Sequence, residues 1–204
     1  MKPTGALVLA AMLTRRSVQP LGTPGPTDDE LRLLMRAAIT VPDHGGLRPW
    51  RLVVVTGEAR AEFGAALAES AKSSAAQLSP ATLQRIADKA FSAPTLVALV
   101  AAIDPKSKVP EWEQTASAAC VGYAITLAAH AIGLGAIWKS TPFADGARLR
   151  EILAMDDGHR FLGWINLGQR AKTNSVARPE LATVSDVVHI LQRDGTQVPL
   201  RIGG

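Results

Sequence analysis

The 204-residue chain lacks most of the signatures that would identify an enzyme class directly. It has a single cysteine, Cys120, so it cannot form an intrachain disulfide. The sequence has no GxSxG elbow, no Walker loop and no GxGxxG turn after a strand, so the commonest serine hydrolase and nucleotide-binding fingerprints are missing. No HxxxH or CxxC pair is present, which argues against a metal site. The widely separated histidines are His44, His130, His159 and His189.

Long hydrophobic runs and a concentrated charge of one sign are also missing. No uninterrupted apolar stretch reaches the length of a membrane span, and Met1–Leu13 is followed by no signal-peptidase site before Arg15. We therefore expect a cytoplasmic protein without membrane association. The net charge is +4, but the basic residues form no stripe interleaved with aromatics. Nucleic acid consequently ranks last among the partners considered, and a small anionic ligand suits this charge balance.

Length and a hydrophobic fraction of 47% predict one globular domain, and hydrophobic periodicity predicts its elements. The predicted helices are Gly5–Thr14, a helix with the capping box Thr27/Glu30 and an apolar stripe to Ala38, Ala59–Ala76, a helix from Ser79–Pro80, Glu111–Ile132 and Ala147–Ala154. The predicted strands are Arg51–Thr56, Thr95–Ile103, Ala136–Lys139 and Phe161–Leu167. Helices and strands are interspersed, so the pattern alone leaves both α/β and α+β open.

Other segments have a weaker pattern. We expect loops over Gln19–Pro26 and Val41–Pro49, because both are rich in proline and glycine. Val184–Leu191 could be a helix or a strand, and the last dozen residues read as an extended tail. Glu111–Ile132 is apolar nearly all round, which predicts the core helix and a buried Cys120 within it.

Two segments carry cations suited to a phosphate group. Arg15-Arg16-Ser17 follows the first helix, where arginine forks and a hydroxyl could hold phosphate oxygens; alternatively, the arginines only complement the helix dipole. Arg170 and Lys172 follow the last strand and would point to the same side of an extended chain. They could complete such a site or be solvated.

Two glycine-containing segments could approach a ligand closely. Pro42–Trp50 offers His44 as a hydrogen-bond donor, although it could also be a surface turn with Trp50 in the core. Gly133–Ser140 joins the long helix to a strand and supplies Trp138, Lys139 and Ser140, although its glycines could also serve only as a helix cap and turn.

Together these segments resemble the nitroreductase family, most closely its small NAD(P)H nitroreductase (YdjA-like) subgroup. The resemblance runs in order from about Leu13 to Lys172. The segments on which the resemblance rests are Arg15-Arg16-Ser17, Pro42-Asp43-His44, Pro49-Trp50-Arg51, Val109-Pro110-Glu111-Trp112-Glu113-Gln114, Gly133–Ser140 and Leu167-Gly168. It implies an α+β fold around a mixed, mainly antiparallel sheet flanked by helices. It also implies an intertwined homodimer with FMN at the subunit interface. Residues 1–204 would form one FMN-binding domain, with about 173–204 as a C-terminal extension or arm.

The matching positions imply roles for individual residues. Arg15, Arg16 and Ser17 would hold the phosphate and ribityl side of FMN, with Arg170 or Lys172 completing the phosphate clamp. The flavin-lining positions from the core side would be Trp138, Lys139 and Ser140. His44 would reach the FMN of the other subunit, and Thr40 would line the cofactor. Thr40 and Lys139 stand where the subgroup has arginines, and Arg48 stands where many relatives have glutamine.

The activity implied is a ping-pong NAD(P)H oxidoreductase. NADH or NADPH would deliver a hydride to FMN, which would pass it to a nitroaromatic, quinone or similar acceptor, with no side chain as catalytic nucleophile. Arg15 or Lys139 would place positive charge near the flavin N1 position. The alternatives are a flavin reductase with a different specialised acceptor and a non-catalytic flavin-binding or storage protein on the same fold.

Overall fold

The structure, a computed structural model, describes residues 3–74, 77–170 and 183–200. The chain divides into two compact units, Met1–Asn174 and Ser175–Gly204. The helices of the first unit are α1 (Pro3–Thr14), α2 (Asp28–Ala38), α3 (Ala59–Ser74), α4 (Pro80–Ala87), α5 (Glu111–Ala131) and α6 (Ala147–Ile152). Its strands are β1 (Leu21–Gly22), β2 (Trp50–Thr56), β3 (Thr95–Ala102), β4 (Gly135–Lys139) and β5 (His159–Arg170). Of the helices described, none is long and apolar enough to cross a membrane.

The sheet is organised around β5. Strands β3 and β4 both pair with residues 164–167 of β5 and therefore lie on opposite sides of it, while β2 pairs with the far side of β3. Short β1 pairs with Gln169 and Arg170 at the end of β5. Every pairing between described strands is antiparallel. The architecture is α+β, and the parallel component expected of a mixed sheet is not found among the described strands.

Each face of the sheet has its own hydrophobic core, because alternate residues of a strand point to opposite sides. One face, which we call the α3 face, packs Leu96, Ala98 and Trp164 against α3, α4 and α6. The other, the α5 face, packs Val97, Leu99 and other residues against α2 and α5. The continuous apolar run predicted as Thr95–Ile103 is thus a central strand buried on both sides.

The predicted helices and strands all form, with bounds that differ by up to three residues at either end. The capping box at the start of α2 is present: the Thr27 N–H donates to Glu30 Oε2 at 2.7 Å, and the Glu30 N–H donates to Thr27 Oγ1. The Ser79 side chain also caps α4, because its hydroxyl oxygen accepts from the Thr82 N–H, and Pro80 is the first residue of the helix. The predicted end of α3 at Ala76 lies outside the described residues.

Three further expectations for the first unit need correction. Gln19–Pro26 is not wholly loop, since Leu21 and Gly22 pair with the end of β5. Cys120 is exposed, and α5 is not buried all round. Trp112 and Tyr123 are 69% and 42% exposed on the same helix. Only one face of α5 packs on the sheet, so its apolar residues on the opposite face are left uncovered in the single chain.

In the second unit, the segment Val184–Leu191, for which the sequence left helix and strand open, contains one of each. Val184–Val187 forms the short helix α7, and His189–Leu191 forms strand β6. The expected extended tail contains strand β7 (Gln197–Pro199), which pairs with β6 as a hairpin. The intervening turn contains Gly195 with a positive φ of 84°, a conformation that glycine adopts without strain.

Candidate functional site

Three arginines and a histidine cluster where α1, α5 and β5 end. Arg15 and Arg16 follow the last residue of α1, His130 lies in the last turn of α5, and Arg170 ends β5. Arg170 Nη2 makes a short hydrogen bond to Nδ1 of His130, and the His130 Nε2 lies 2.9 Å from Oγ1 of Thr14. Burial and, after it, the charges of Arg170, Arg15 and Arg16 lower the pKa of His130 below its ordinary value.

The charge of this cluster is not neutralised by the part of the chain that the structure describes. Within it, no carboxylate forms an ion pair with Arg15, Arg16 or Arg170. The buried Nε of Arg16 also has no hydrogen-bond partner there. Buried donors are normally satisfied, and guanidinium groups bind phosphate oxygens with particular strength. The cluster is therefore chemically suited to a phosphate group.

The two neighbouring arginines have different surroundings. Arg16 Nη1 donates to the carbonyl oxygens of Leu13 at 2.9 Å and Arg15 at 2.7 Å, so part of this side chain satisfies the carboxyl end of α1. The Arg15 guanidinium has no partner among the described residues. Ser17 is exposed next to them.

Strand β4 connects this cluster to a second group of predicted residues. The Val18 N–H, just after the arginine segment, donates to the Ala136 carbonyl at 3.0 Å. Gly135 begins β4 beside Arg170: a Cβ at this position would lie 3.2 Å from Cγ of Arg170. The strand then extends for four residue steps, or roughly 14 Å at about 3.4 Å per residue, to Lys139.

At the far end of β4, Trp138, Lys139 and Ser140 line a surface concavity of about 360 Å³ together with Leu162. Trp138 Nε1 donates to the Leu162 carbonyl at 2.9 Å. The Trp138 ring packs against Gly122 of α5, where a Cβ would come within 2.8 Å of it. Helix α5 therefore fixes the tryptophan that borders the concavity.

Lys139 faces a second cation that the sequence analysis did not identify. Burial lowers the pKa of Lys139, and the neighbouring charge of Lys89 lowers it further. The Lys89 carbonyl accepts from the Ser92 hydroxyl, which in turn accepts from Asn166 Nδ2 at 2.8 Å on the α3 face of the sheet. Both lysines are half-buried, and neither has an acidic partner in the described ranges.

Thr40 and His44 lie apart from these two groups in the described contacts. Thr40 donates to the Ala37 carbonyl at 2.8 Å and borders an apolar groove of about 420 Å³ between α1, α2 and α5. His44 Nδ1 lies 2.7 Å from Glu113 Oε2, at the start of α5. No described hydrogen bond or ion pair joins either residue to Arg15 or Lys139. Lys172 lies outside the described residues.

Two residues were missed as site candidates by reasoning from sequence. His130 lies within an apolar helix, where the sequence pattern favours a core or interface residue over a ligand-binding one. Lys89 belongs to a short 3-10 helix at Asp88–Phe91 that has no motif of its own. Nothing local distinguishes either residue, since their neighbours come from segments distant in the chain.

The chain is similar to known proteins over most of its length. The model of the nitroreductase family matches residues 12–169. An Escherichia coli K12 protein named "Putative NAD(P)H nitroreductase YdjA" is 34% identical over 160 residues, which cover 78% of this chain and 86% of that protein.

Two solved structures show the same fold. A nitroreductase-like family protein from Bacillus cereus superposes with a TM-score of 0.76 at 21% identity, covering 91% of this chain and 96% of that one. A Desulfovibrio desulfuricans protein, described as a "putative nitroreductase in complex with fmn", superposes with a TM-score of 0.64 at 25% identity, covering 86% and 92%. The match of the family model and the identity over most of the chain lead to one conclusion: this protein belongs to the nitroreductase family.

Proposed function

We propose that this protein is an FMN-dependent NAD(P)H oxidoreductase that works as a homodimer with FMN at the subunit interface. The observation that carries the proposal is the cluster of Arg15, Arg16 and Arg170 at one end of β4. It lacks an acidic partner among the described residues, and it includes a buried guanidinium nitrogen without an acceptor. A phosphate dianion at the end of an elongated ligand would satisfy both features.

The geometry suits a ligand with an anionic end and a planar end. In this proposal Arg15, Arg16 and Ser17 bind the phosphate, and Arg170 or Lys172 closes the clamp. Strand β4 leads from there to the concavity at Trp138, Lys139 and Ser140, which would border the flavin ring. The half-buried cations of Lys139 and Lys89 would then place positive charge beside the ring.

A second subunit would complete the site. The α5 surface turned away from the sheet exposes Trp112 and Tyr123, and α1 exposes Leu7 and Leu13, each 72% accessible. An uncovered apolar surface of this kind is typical of a protein–protein interface. In a dimer formed through it, His44 and Thr40 would contact the cofactor from the partner side, and residues 173–204 would be a C-terminal extension of one FMN-binding domain.

FMN, when bound, supplies the redox chemistry, by accepting a hydride from NADH or NADPH and passing it to an acceptor such as a nitroaromatic or a quinone. The side chains proposed here bind the phosphate, orient the ring against β4 and exclude water from one side. NAD(P)H as donor is supported by the name of the E. coli relative. No side chain is assigned as a nucleophile.

The test is an absorbance spectrum of the purified protein before and after anaerobic addition of NADPH or NADH. We expect flavin bands near the usual ~450 nm that disappear on addition. Bands that persist with both donors would indicate a flavin-binding or storage protein instead. A colourless protein that also fails to bind added FMN would contradict the proposal.

A further inference from the structure

His130 links three elements around the proposed phosphate site. It lies in the last turn of α5 and contacts Thr14, the last residue of α1, through Nε2 at 2.9 Å. Through Nδ1 it contacts Arg170 at the end of β5. Arg170 is held a second time by its Nε, which donates to the Leu134 carbonyl at 3.3 Å. His130 and Leu134 together therefore fix the direction of the Arg170 side chain.

The partners of His130 determine where its proton lies. A guanidinium has only donors, so Arg170 must donate to Nδ1, and Nδ1 carries no hydrogen. The Thr14 hydroxyl hydrogen is used in a bond to the Ala10 carbonyl at 2.6 Å, so Thr14 Oγ1 accepts from Nε2–H. The network requires a neutral imidazole with its hydrogen on Nε2.

The charges around the ring favour the same state. Arg15 and Arg16 face it from the end of α1, and Arg170 faces it from β5. No acidic group among the described residues pairs with His130, in contrast to His44. Burial of the ring and, after it, these cations lower the pKa of His130, which favours a neutral imidazole near neutral pH.

We propose that His130 is the positioning residue of the phosphate site, whose neutral imidazole holds the Arg170 guanidinium toward the anion and whose protonation releases it. The inference rests on the proposed function, because it takes the anion to be the phosphate of FMN. A protonated Nδ1 would oppose the Arg170 N–H with a second donor, so the contact would be lost. Lowering the pH should therefore weaken phosphate binding through His130.

Electrostatic attraction alone would give the opposite pH dependence, and an experiment can distinguish the two effects. A protonated His130 would add a further positive charge near the phosphate, which by itself would tighten binding as the pH falls. The proposal holds that the loss of Arg170 orientation is the larger effect. Riboflavin, which has the same ring without the phosphate, isolates the contribution of the site.

The experiment compares dissociation constants of FMN and riboflavin for the wild type, His130→Asn and His130→Leu. Asn can place an amide oxygen near the Nδ1 position to accept from Arg170, whereas Leu has no acceptor. Above the ordinary histidine pKa of about 6.5, we expect the wild type and His130→Asn to prefer FMN similarly. His130→Leu should lose roughly tenfold of that preference, as expected for one charge-assisted hydrogen bond.

The pH profile supplies a readout that a purely structural role would not change. Protonation of the phosphate of free FMN, with a pKa of about 6, is common to the measurements on all three proteins. Because the pKa of His130 lies below the ordinary histidine value of about 6.5, the difference should appear only at pH values lower than that. There we expect the FMN preference of the wild type to fall more than that of His130→Asn. If the preference for FMN over riboflavin instead rises in the wild type relative to His130→Asn as the pH falls, the proposal is overturned in favour of simple charge attraction.

Other outcomes of the same experiment separate a failure of the positioning role from a failure of the proposed function. Equal binding of FMN and riboflavin by the wild type would contradict the phosphate site itself. A preference that His130→Leu leaves unchanged would overturn only the positioning role. If His130→Leu does not fold, the imidazole ¹⁵N shifts of the flavin-free wild type decide: the proposal requires the Nε2–H tautomer at neutral pH, and the Nδ1–H tautomer or an imidazolium would refute it.

Discussion

At the scale of the residue, the contacts of Arg15 and Arg16 bear on two interpretations that the sequence alone left open. An arginine pair at the carboxyl end of a helix can complement the helix dipole or bind an anion. Arg16 does the first in part, because it donates to the carbonyls of Leu13 and Arg15. The Arg15 guanidinium forms no hydrogen bond or ion pair among the described residues, so we propose that it binds the ligand. Adjacent residues of one type thus differ in their contacts.

The substitution Arg15→Ala tests this division. We expect FMN to bind about 1.5–3 kcal/mol more weakly, the usual contribution of a hydrogen bond to a charged group. Titration with FMN measures the change, and riboflavin affinity should stay the same. Arg32→Ala is a matched control, since Arg32 is an exposed arginine on α2 that pairs with Asp29. An FMN affinity as high as that of this control would contradict the phosphate role of Arg15.

At the scale of the element, the pairing of β4 with β5 positions Trp138 and Lys139. The register of β5 against β3 shifts between Leu99 and Val100, where residue 162 is an extra residue. A bulge of this kind bends a strand locally. Gly163 at the bulge has a φ of 102°, and a Cβ there would collide with the Lys139 carbonyl. The closeness of the two strands thus depends on a glycine.

Gly163→Ala should therefore be destabilising for two reasons, the positive φ and the collision with the Lys139 backbone. We expect a loss of more than about 1 kcal/mol in the free energy of unfolding, measured by urea denaturation. Gly22→Ala is the matched control, because its φ is not positive and a Cβ there meets no atom within 4 Å. Equal unfolding midpoints for the two variants would rule out the strain at residue 163.

At the scale of the whole molecule, the uncovered surface of α5 indicates what the single chain lacks. The same helix that forms the core of the α5 face also exposes Trp112, Cys120 and Tyr123. A helix that is apolar all round is expected to be buried on all sides. A second copy of the chain would cover that surface, which accounts for the apolar pattern better than the single chain does.

The oligomeric state can be tested with a charge on that surface. Tyr123→Glu should shift the protein from dimer to monomer in sedimentation analysis, because an unpaired carboxylate is costly to bury in an interface. We expect FMN retention to fall in the same variant, since each proposed site needs both subunits. Ala65→Glu, at an exposed position of α3 on the opposite side of the sheet, should remain dimeric. A wild-type monomer, or a Tyr123→Glu dimer, would contradict the proposed interface.

Much of the secondary structure could be predicted because its causes are local. The capping box of Thr27 and Glu30 and the apolar run of β3 depend only on neighbouring residues, and both predictions are confirmed. Two predictions failed because the deciding contact is distant in the chain. β1 depends on its pairing with Arg170, and the exposure of Cys120 depends on which face of α5 meets the sheet.

The sequence by itself determined the order of the elements, the family and the segments that carry arginine, lysine and histidine. Only the tertiary structure brought Arg15, Arg16, Arg170 and His130 into one cluster and placed Lys89 beside Lys139. The physical reason is range. Caps and hydrophobic periodicity act over a few residues of chain. The pKa and the partners of a charged group depend on side chains that are near in space but distant in sequence, by 40 positions for Arg170 and His130 and by 116 for Thr14 and His130.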